Sequence, residues 1–416
     1  MKKLLLSGIA LLQGLLIFAQ CEDGRYRDLI FSDVEVTSGV NYGQNYNLNG
    51  SMQTLALDVY EPEGDNEESR PLIIFAHGGS FVGGSRTGTD VVPLCQDFAK
   101  MGYVVASITY RLGIPLTLNL QQPATEAVVR GYHDMKAAIR FFRKDVAENG
   151  NTYDIDPDQI YLAGVSAGGF ITLHVAYMDE EDEIPDYLDL TEQGLTGGLE
   201  GDSGNPGYSS EVSGIINIAG AIKDTAWIHT GDEPVCNFHG TSDTTVPFDQ
   251  DMLVLFGAFD VLVVNGSNPI DIRAEEVGLT HCFEIYELQG HVPHVNNVQY
   301  YDTTRSVMSN FLSHLVCENI ELDCAYRELN IITNASSLSR SSLSLFPNPS
   351  ASSLQVEFLP EQIGLPYEVY NAFGQKLLAD RIEDVVTTLS VASWPAGMYT
   401  VIVKGHYPAT ISFLKE

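Results

Sequence analysis

The chain has 416 residues, 44% hydrophobic and 10% aromatic, which is enough for two or three packed domains and too apolar for global disorder. Lys and Arg number 22 against 55 Asp and Glu, a formal net charge of −33. That balance argues against a nucleic-acid binder, which needs clustered cations to neutralise phosphate, and against docking on anionic lipid.

Lys2 and Lys3 precede an apolar run from Leu4 to Leu16, closed by Ile17-Phe18-Ala19-Gln20. This is the charged, apolar and small-residue order of a secretory signal peptide over residues 1–19, with cleavage after Ala19. Ser7, Gly8, Gln13 and Gly14 interrupt the run, and it is shorter than the roughly 20 residues that a membrane-spanning helix needs. Gln20 before Cys21 is not the small residue that a lipoprotein site wants. No later stretch is apolar enough to span a bilayer, so the mature chain is expected to have no membrane span. Cys21, Cys95, Cys236, Cys282, Cys317 and Cys324 form an even set, compatible with disulfides in an exported chain, and no CxxC spacing marks zinc.

Residues 20–325 read as an α/β domain. From about Met52 to Cys317, strand-like and helix-like segments alternate, which predicts a mainly parallel central sheet with helices on both faces. Thr54–Tyr60 alternates apolar and polar residues like an edge strand, whereas Pro71–Ala76 and Tyr103–Tyr110 are strands buried on both faces. Helices are expected over Asp90–Met101, ending at Gly102, and over Ala124–Asn149, ending at Gly150. Strands follow at Gln159–Gly164, Val212–Gly220, Pro234–Phe238 and Cys282–Leu288, and a helix over Tyr301–Val316 closes the domain. Cys236 and Cys282 then fall on neighbouring strands and are expected to pair; two buried free thiols are the alternative.

Residues 179–210 form an insertion with ten acids and a glycine-rich end. It reads as a solvated surface loop or lid. Calcium binding is the alternative, although the spacing is not that of an EF-hand. Residues 326–344 are rich in Ser, Thr and Asn and read as a linker. Residues 345–416 turn all-β, with short strands at Leu354–Phe358, Tyr367–Tyr370 and Tyr399–Val403, and read as a small β-sandwich.

Gly164-Val165-Ser166-Ala167-Gly168-Gly169 lies between the apolar strand and a helical stretch, Phe170–Met178. That is the context of a G-x-S-x-G nucleophile elbow, in which a sharp turn presents the serine hydroxyl above the sheet. Upstream, Phe75-Ala76-His77-Gly78-Gly79-Ser80 ends a buried strand. The Gly78 and Gly79 N–H groups, with that of Ala167, are candidate oxyanion donors, and His77 is a positioning residue. A serine needs a base held by a carboxylate. His239-Gly240-Thr241-Ser242-Asp243 follows a strand and offers Asp243, while Asp249 and Asp251 read as helix-start acids. Gly290-His291 follows the next strand and offers His291 as base, with His294 as the alternative. His281, His314 and His406 read as structural or surface residues.

Taken together, these motifs resemble the α/β-hydrolase carboxylesterases, nearest the hormone-sensitive-lipase-like and feruloyl or acetyl-xylan esterase branches. The resemblance implies an α/β-hydrolase fold and a Ser166–His291–Asp243 serine esterase acting on small or polymer-linked esters, with no metal and no cofactor. Ser80 replaces the third glycine of the family's HGGG. In the tail, Leu345-Phe346-Pro347-Asn348-Pro349-Ser350, Tyr370-Asn371-Ala372-Phe373-Gly374 and Trp394-Pro395-Ala396-Gly397-Met398-Tyr399 resemble a type IX secretion C-terminal sorting domain. That implies a secreted or cell-surface protein with the type IX secretion machinery as partner. A carbohydrate-binding sandwich is the alternative for the tail. For the whole chain, the alternatives are a prolyl-oligopeptidase-like serine peptidase and an inactive hydrolase-fold binding protein.

Overall fold

The computed structural model describes residues 21, 24–115, 117, 119–255, 257–317, 319–330, 344–358, 362–371, 375–403 and 409–416. The expected signal peptide and most of the expected linker lie outside these residues. The chain divides into two compact units between residues 334 and 335.

In chain order, the strands of the first unit are β1 (Val34–Tyr46), β2 (Met52–Pro62), β3 (Arg70–Ala76), β4 (Val104–Ile108), β5 (Ile155–Val165), β6 (Gly214–Ile218), β7 (Val235–Gly240), β8 (Gln250–Leu255), β9 (Phe259–Asn265) and β10 (His281–Tyr286). The helices are α1 (Val92–Lys100), α2 (Gln121–Glu148), α3 (Ala167–Tyr177), α4 (Ser267–Val277) and α5 (Val298–Val316). Eight strands make one sheet in the order β1-β2-β4-β3-β5-β6-β7-β10. β1 and β2 pair antiparallel, β2 runs antiparallel to β4, and the remaining pairs are parallel.

β3 is buried along its whole length, as its unbroken apolar run requires. Successive side chains of a strand point to opposite faces. Leu72 and Ile74 therefore enter the core beneath α2 and α3, while Ile73 and Phe75 enter the core beneath α1 and α5. The sheet edge differs from the sequence reading. β1, with Gly39, Gly43 and mostly exposed residues, pairs outside β2 with two register shifts, so β2 is not the edge. The segment after Val246 also differs, because Asp249 and Asp251 lead into the β8–β9 hairpin rather than a helix.

The expected Cys236–Cys282 disulfide is not formed. The two residues are direct partners across β7 and β10, yet Cys282 is bonded to Cys324, at a Cα separation of 5.4 Å, and a sulfur makes a single disulfide. Cys236 stays a buried thiol packed in the second core, and Cys95 is free and buried as well. A second bridge joins Cys21 to Cys317.

The acidic insertion is not simply a solvated loop. Arg111 and Asp134, both fully buried, form an ion pair at 2.8 Å, and the Ser203 hydroxyl donates to Asp134 Oδ1 at 2.6 Å. Arg111 also donates to the Gly194 carbonyl at 2.6 Å, and Asn45 of β1 donates to Asp202 at 2.8 Å. Glu200 meets Arg140 at 2.8 Å and Lys136 at 3.1 Å on α2. The far half of the insertion is thus fastened to α2 and β1 by its polar groups. Among the described residues, no group of three or more His, Cys, Asp or Glu is placed to hold a metal ion.

In the second unit, β11 (Ser344–Phe346), β12 (Ser353–Glu357) and β15 (Val386–Ser390) form one antiparallel sheet. β13 (Pro366–Asn371), β14 (Lys376–Arg381), β16 (Gly397–Val403) and β17 (Ala409–Lys415) form another. Leu354, Val356, Val369, Leu389, Val401 and Phe413 share one core between them. Trp394 packs on Tyr399 with ring centroids 5.1 Å apart, so it serves that core rather than an open sugar-binding face. Among the described residues, no helix is long and apolar enough to cross a membrane.

Candidate active site

Ser166 sits between β5 and α3 with φ 55° and ψ −114°, a strained backbone for a non-glycine residue. The turn is tight enough that a Cβ on Gly164 would overlap the Gly168 carbonyl, and one on Gly168 would overlap the Ala76 carbonyl. Ser166 N–H donates to the Ile218 carbonyl at 2.8 Å, which fastens the turn to β6. The hydroxyl is thereby held at the carboxyl end of the sheet, where the loops after β7 and β10 also emerge.

Those loops bring Asp243 and His291 to it. His291 Nε2 lies 2.8 Å from Ser166 Oγ, and Nδ1 lies 2.6 Å from Asp243 Oδ2. A carboxylate only accepts, so the network assigns the proton to Nδ1 and leaves Nε2 to accept from the serine hydroxyl. Asp243 is itself completed by the Thr245 and Val246 N–H groups, which donate to Oδ1 at 2.8 and 3.0 Å. Burial alone would raise its pKa, but the His239 and His291 imidazoles and the Thr245 amide hold it well below the ordinary carboxylate range.

His239 was present in the sequence motif without a role. Its Nε2 lies 3.3 Å from Asp243 Oδ2 and 3.1 Å from the Val246 carbonyl. A carbonyl only accepts, so Nε2 carries the proton, and Nδ1 accepts from the Ser267 hydroxyl at 2.8 Å. Asn217 donates to Ser267 Oγ at 3.2 Å, so a buried polar chain from β6 through α4 backs the carboxylate. The signal was the i, i+4 spacing of His239 and Asp243 across the turn.

The structure separates the three expected oxyanion donors. Gly78 N–H is already donated to Asp90 Oδ2 at 2.7 Å, and one proton serves one strong acceptor, so Gly78 is removed from the set. What Gly78 supplies is close approach, since a Cβ there would come within 3.4 Å of Ser166 Cβ. Gly79 follows at φ 119°, and a Cβ there would overlap the Gly83 carbonyl. Ser80 and Ala167 border the same cavity as Ser166. His77 props the loop from behind, with its ring stacked on Tyr110 at 4.4 Å and its carbonyl accepting the Tyr110 hydroxyl at 2.8 Å.

The other candidates lie elsewhere. His294 is buried and bonded to neither Ser166 nor Asp243; burial pushes its pKa down to about 4 against the pull of the Asp90 backbone and carboxylate. His281 Nδ1 pairs with Asp271 at 2.8 Å, and His314 Nδ1 donates to the Ile320 carbonyl at 2.6 Å. Asp249 accepts from Asn268 at 2.6 Å. His406 lies outside the described residues. An apolar cavity starts at Ser166 and Ala167 and runs between α2, α3 and the β8–β9 hairpin.

The sheet order, with a strained serine between β5 and α3, defines the first unit as an α/β-hydrolase. Residues 57–220 match the BD-FAE family model, and residues 344–412 match the secretion system C-terminal sorting domain. The first unit therefore has the α/β-hydrolase fold and matches BD-FAE over residues 57–220, and the tail matches a sorting domain. Carboxylesterase 3B of Mus musculus is 32% identical over 150 residues, covering 34% of this chain and 24% of that protein. Secreted lipase 5 of Gibberella zeae is 28% identical over 156 residues, covering 33% and 27%. The chain thus spans about a quarter of the length of the curated relatives it matches. A structure of Thermogutta terrifontis esterase 2 phosphorylated by paraoxon aligns over 68% of this chain and 94% of that one, with 22% identity and a TM-score of 0.46.

Proposed function

We propose that this protein is an exported serine carboxylesterase. The observation that carries the reading is the unbroken relay from Asp243 Oδ2 through His291 to Ser166 Oγ, with both hydrogen bonds within 2.8 Å. Ser166 Oγ attacks the ester carbonyl carbon as its proton passes to His291 Nε2. The carbonyl π pair moves to oxygen, and the Gly79 and Ala167 N–H groups receive that charge. On collapse the bond to the alcohol oxygen breaks, and His291 hands the proton to the departing alcohol. Water then gives a proton to His291 and adds to the acyl carbon; expulsion of Ser166 Oγ, reprotonated by His291, frees the acid. Asp243 stays ionised throughout, fixing the imidazole tautomer and offsetting its transient positive charge.

The lysine-led apolar segment at residues 1–19 is proposed as the signal for the first membrane. The tail is proposed as the handle for type IX export, joined to the catalytic domain by the Ser-rich linker. Ser166→Ala should lower turnover of short p-nitrophenyl esters by roughly 10³–10⁶-fold with the fold retained. Near-normal hydrolysis by that variant would refute the proposal. Faster cleavage of aminoacyl-proline amides than of esters by the parent enzyme would instead make it a peptidase.

A further inference from the structure

We infer that the acyl half of the ester is an extended aliphatic chain, in the range of hexanoyl to decanoyl, rather than acetyl. This rests on the esterase reading above and concerns the cavity beside Ser166. The direction of binding follows from proton traffic. The departing alcohol must stand beside the imidazole that protonates it. His291 does not border the cavity, and its side chain is 20% exposed, so the alcohol leaves on the solvent side. The acyl group stays on Ser166 Oγ and has the cavity in front of it.

Three elements close that cavity with hydrocarbon. α2 contributes Ala124, Val128 and Val129, and the near half of the insertion contributes Pro185 and Leu188. The β8–β9 hairpin supplies Leu253, Leu255, Leu262 and Val264 from one face. On the hairpin, the cavity-lining Leu253, Leu255 and Val264 are 8%, 8% and 2% exposed, whereas Met252 and Val263 are 38% and 49% exposed. An acetyl group would leave these walls unused.

The polar groups present do not alter the class. His174 points its Nδ1 proton at the Phe170 carbonyl at 2.7 Å, and burial pushes its pKa down to about 4, so it lines the cavity as a neutral ring. The Lys223 ammonium stands 6.0 Å from the Trp227 ring, where its charge meets an aromatic face. Each methylene moved from water onto such walls should raise kcat/KM by about 3- to 4-fold until the chain meets the end of the cavity.

The test uses the full-length protein with p-nitrophenyl esters from acetyl to dodecanoyl. The expected result is kcat/KM for octanoyl at least ten-fold above acetyl, falling again by dodecanoyl. Leu255→Trp should cut the octanoyl-to-acetyl ratio at least ten-fold, and Leu262→Phe should cut it less. Thermal unfolding and fluorophosphonate labelling of Ser166 confirm that each variant is folded. Acetyl as the best substrate with labelling intact would overturn this inference and leave the esterase proposal standing, as would methyl ferulate outrunning methyl octanoate. Absence of both labelling and turnover in the parent protein would sink the esterase proposal, and this inference with it.

Discussion

Asp90 Oδ2 accepts the backbone N–H of Gly78 across 2.7 Å, joining the start of α1 to the loop that faces Ser166. The contact fastens Gly78 to the segment that leads into α1, so Asp90 is expected to act as a positioning residue. Asp90→Ala should lower kcat by about 10- to 100-fold with little change in KM, because a displaced donor loop weakens stabilisation of the developing charge. Asp90→Asn keeps an oxygen acceptor and should recover most of the loss. Equal losses in the two variants, or a loss confined to KM, would show that the carboxylate does not position the donors.

Of the two histidines in the β10 loop, His291 carries the contacts. His291→Gln should reduce turnover by about 10³–10⁶-fold, in the range seen when a triad member is lost. His294→Gln should stay within about ten-fold of the parent. Steady-state rates on a short ester decide between them, and a reversal of the two values would reassign the base.

Asp243 ties catalysis to acid stability. Its folded pKa is depressed, so the ionised carboxylate contributes stability that is fully present above the unfolded value of roughly 4. That contribution is lost as pH falls from there toward the folded pKa. The gap in urea midpoint between the parent and Asp243→Asn should therefore shrink between pH 7 and pH 3. The same variant should lose about 10⁴-fold in kcat at neutral pH, because the amide no longer selects the Nδ1–H tautomer. A gap that widens on acidification would contradict the sign.

Arg111 and Asp134 are buried with their hydrogen-bonding groups occupied. Arg111→Met leaves an uncompensated carboxylate in the core and should cost about 3–5 kcal/mol of unfolding free energy, read from urea titration. Protease cleavage within residues 194–205 should quicken in parallel, because the Gly194 and Ser203 contacts go with it. Unchanged stability would mean that the pair contributes nothing net.

Much of this architecture was legible before any coordinates, because unbroken apolar runs such as Pro71–Ala76 have few foldings open to them. Ser166, Asp243 and His291 stood out because each follows an apolar strand and a glycine. β1 was missed because its glycines and exposed polar residues leave no period-2 signal. The β8–β9 hairpin was missed because its acids mimic a helix start. The pairing of Gly78 with Asp90, and of Cys282 with Cys324 rather than Cys236, depends on where loops close in space. Spacing along the chain carries no trace of that.

Both disulfides end at or before Cys324. Cutting the chain anywhere between residues 331 and 343 would therefore shed the tail without opening a covalent ring, and the remaining enzyme would keep its two cross-links. The bridge from Cys21 to Cys317 ties the first described residue to the end of α5, so the catalytic unit would keep both of its described chain ends fastened after such a cut.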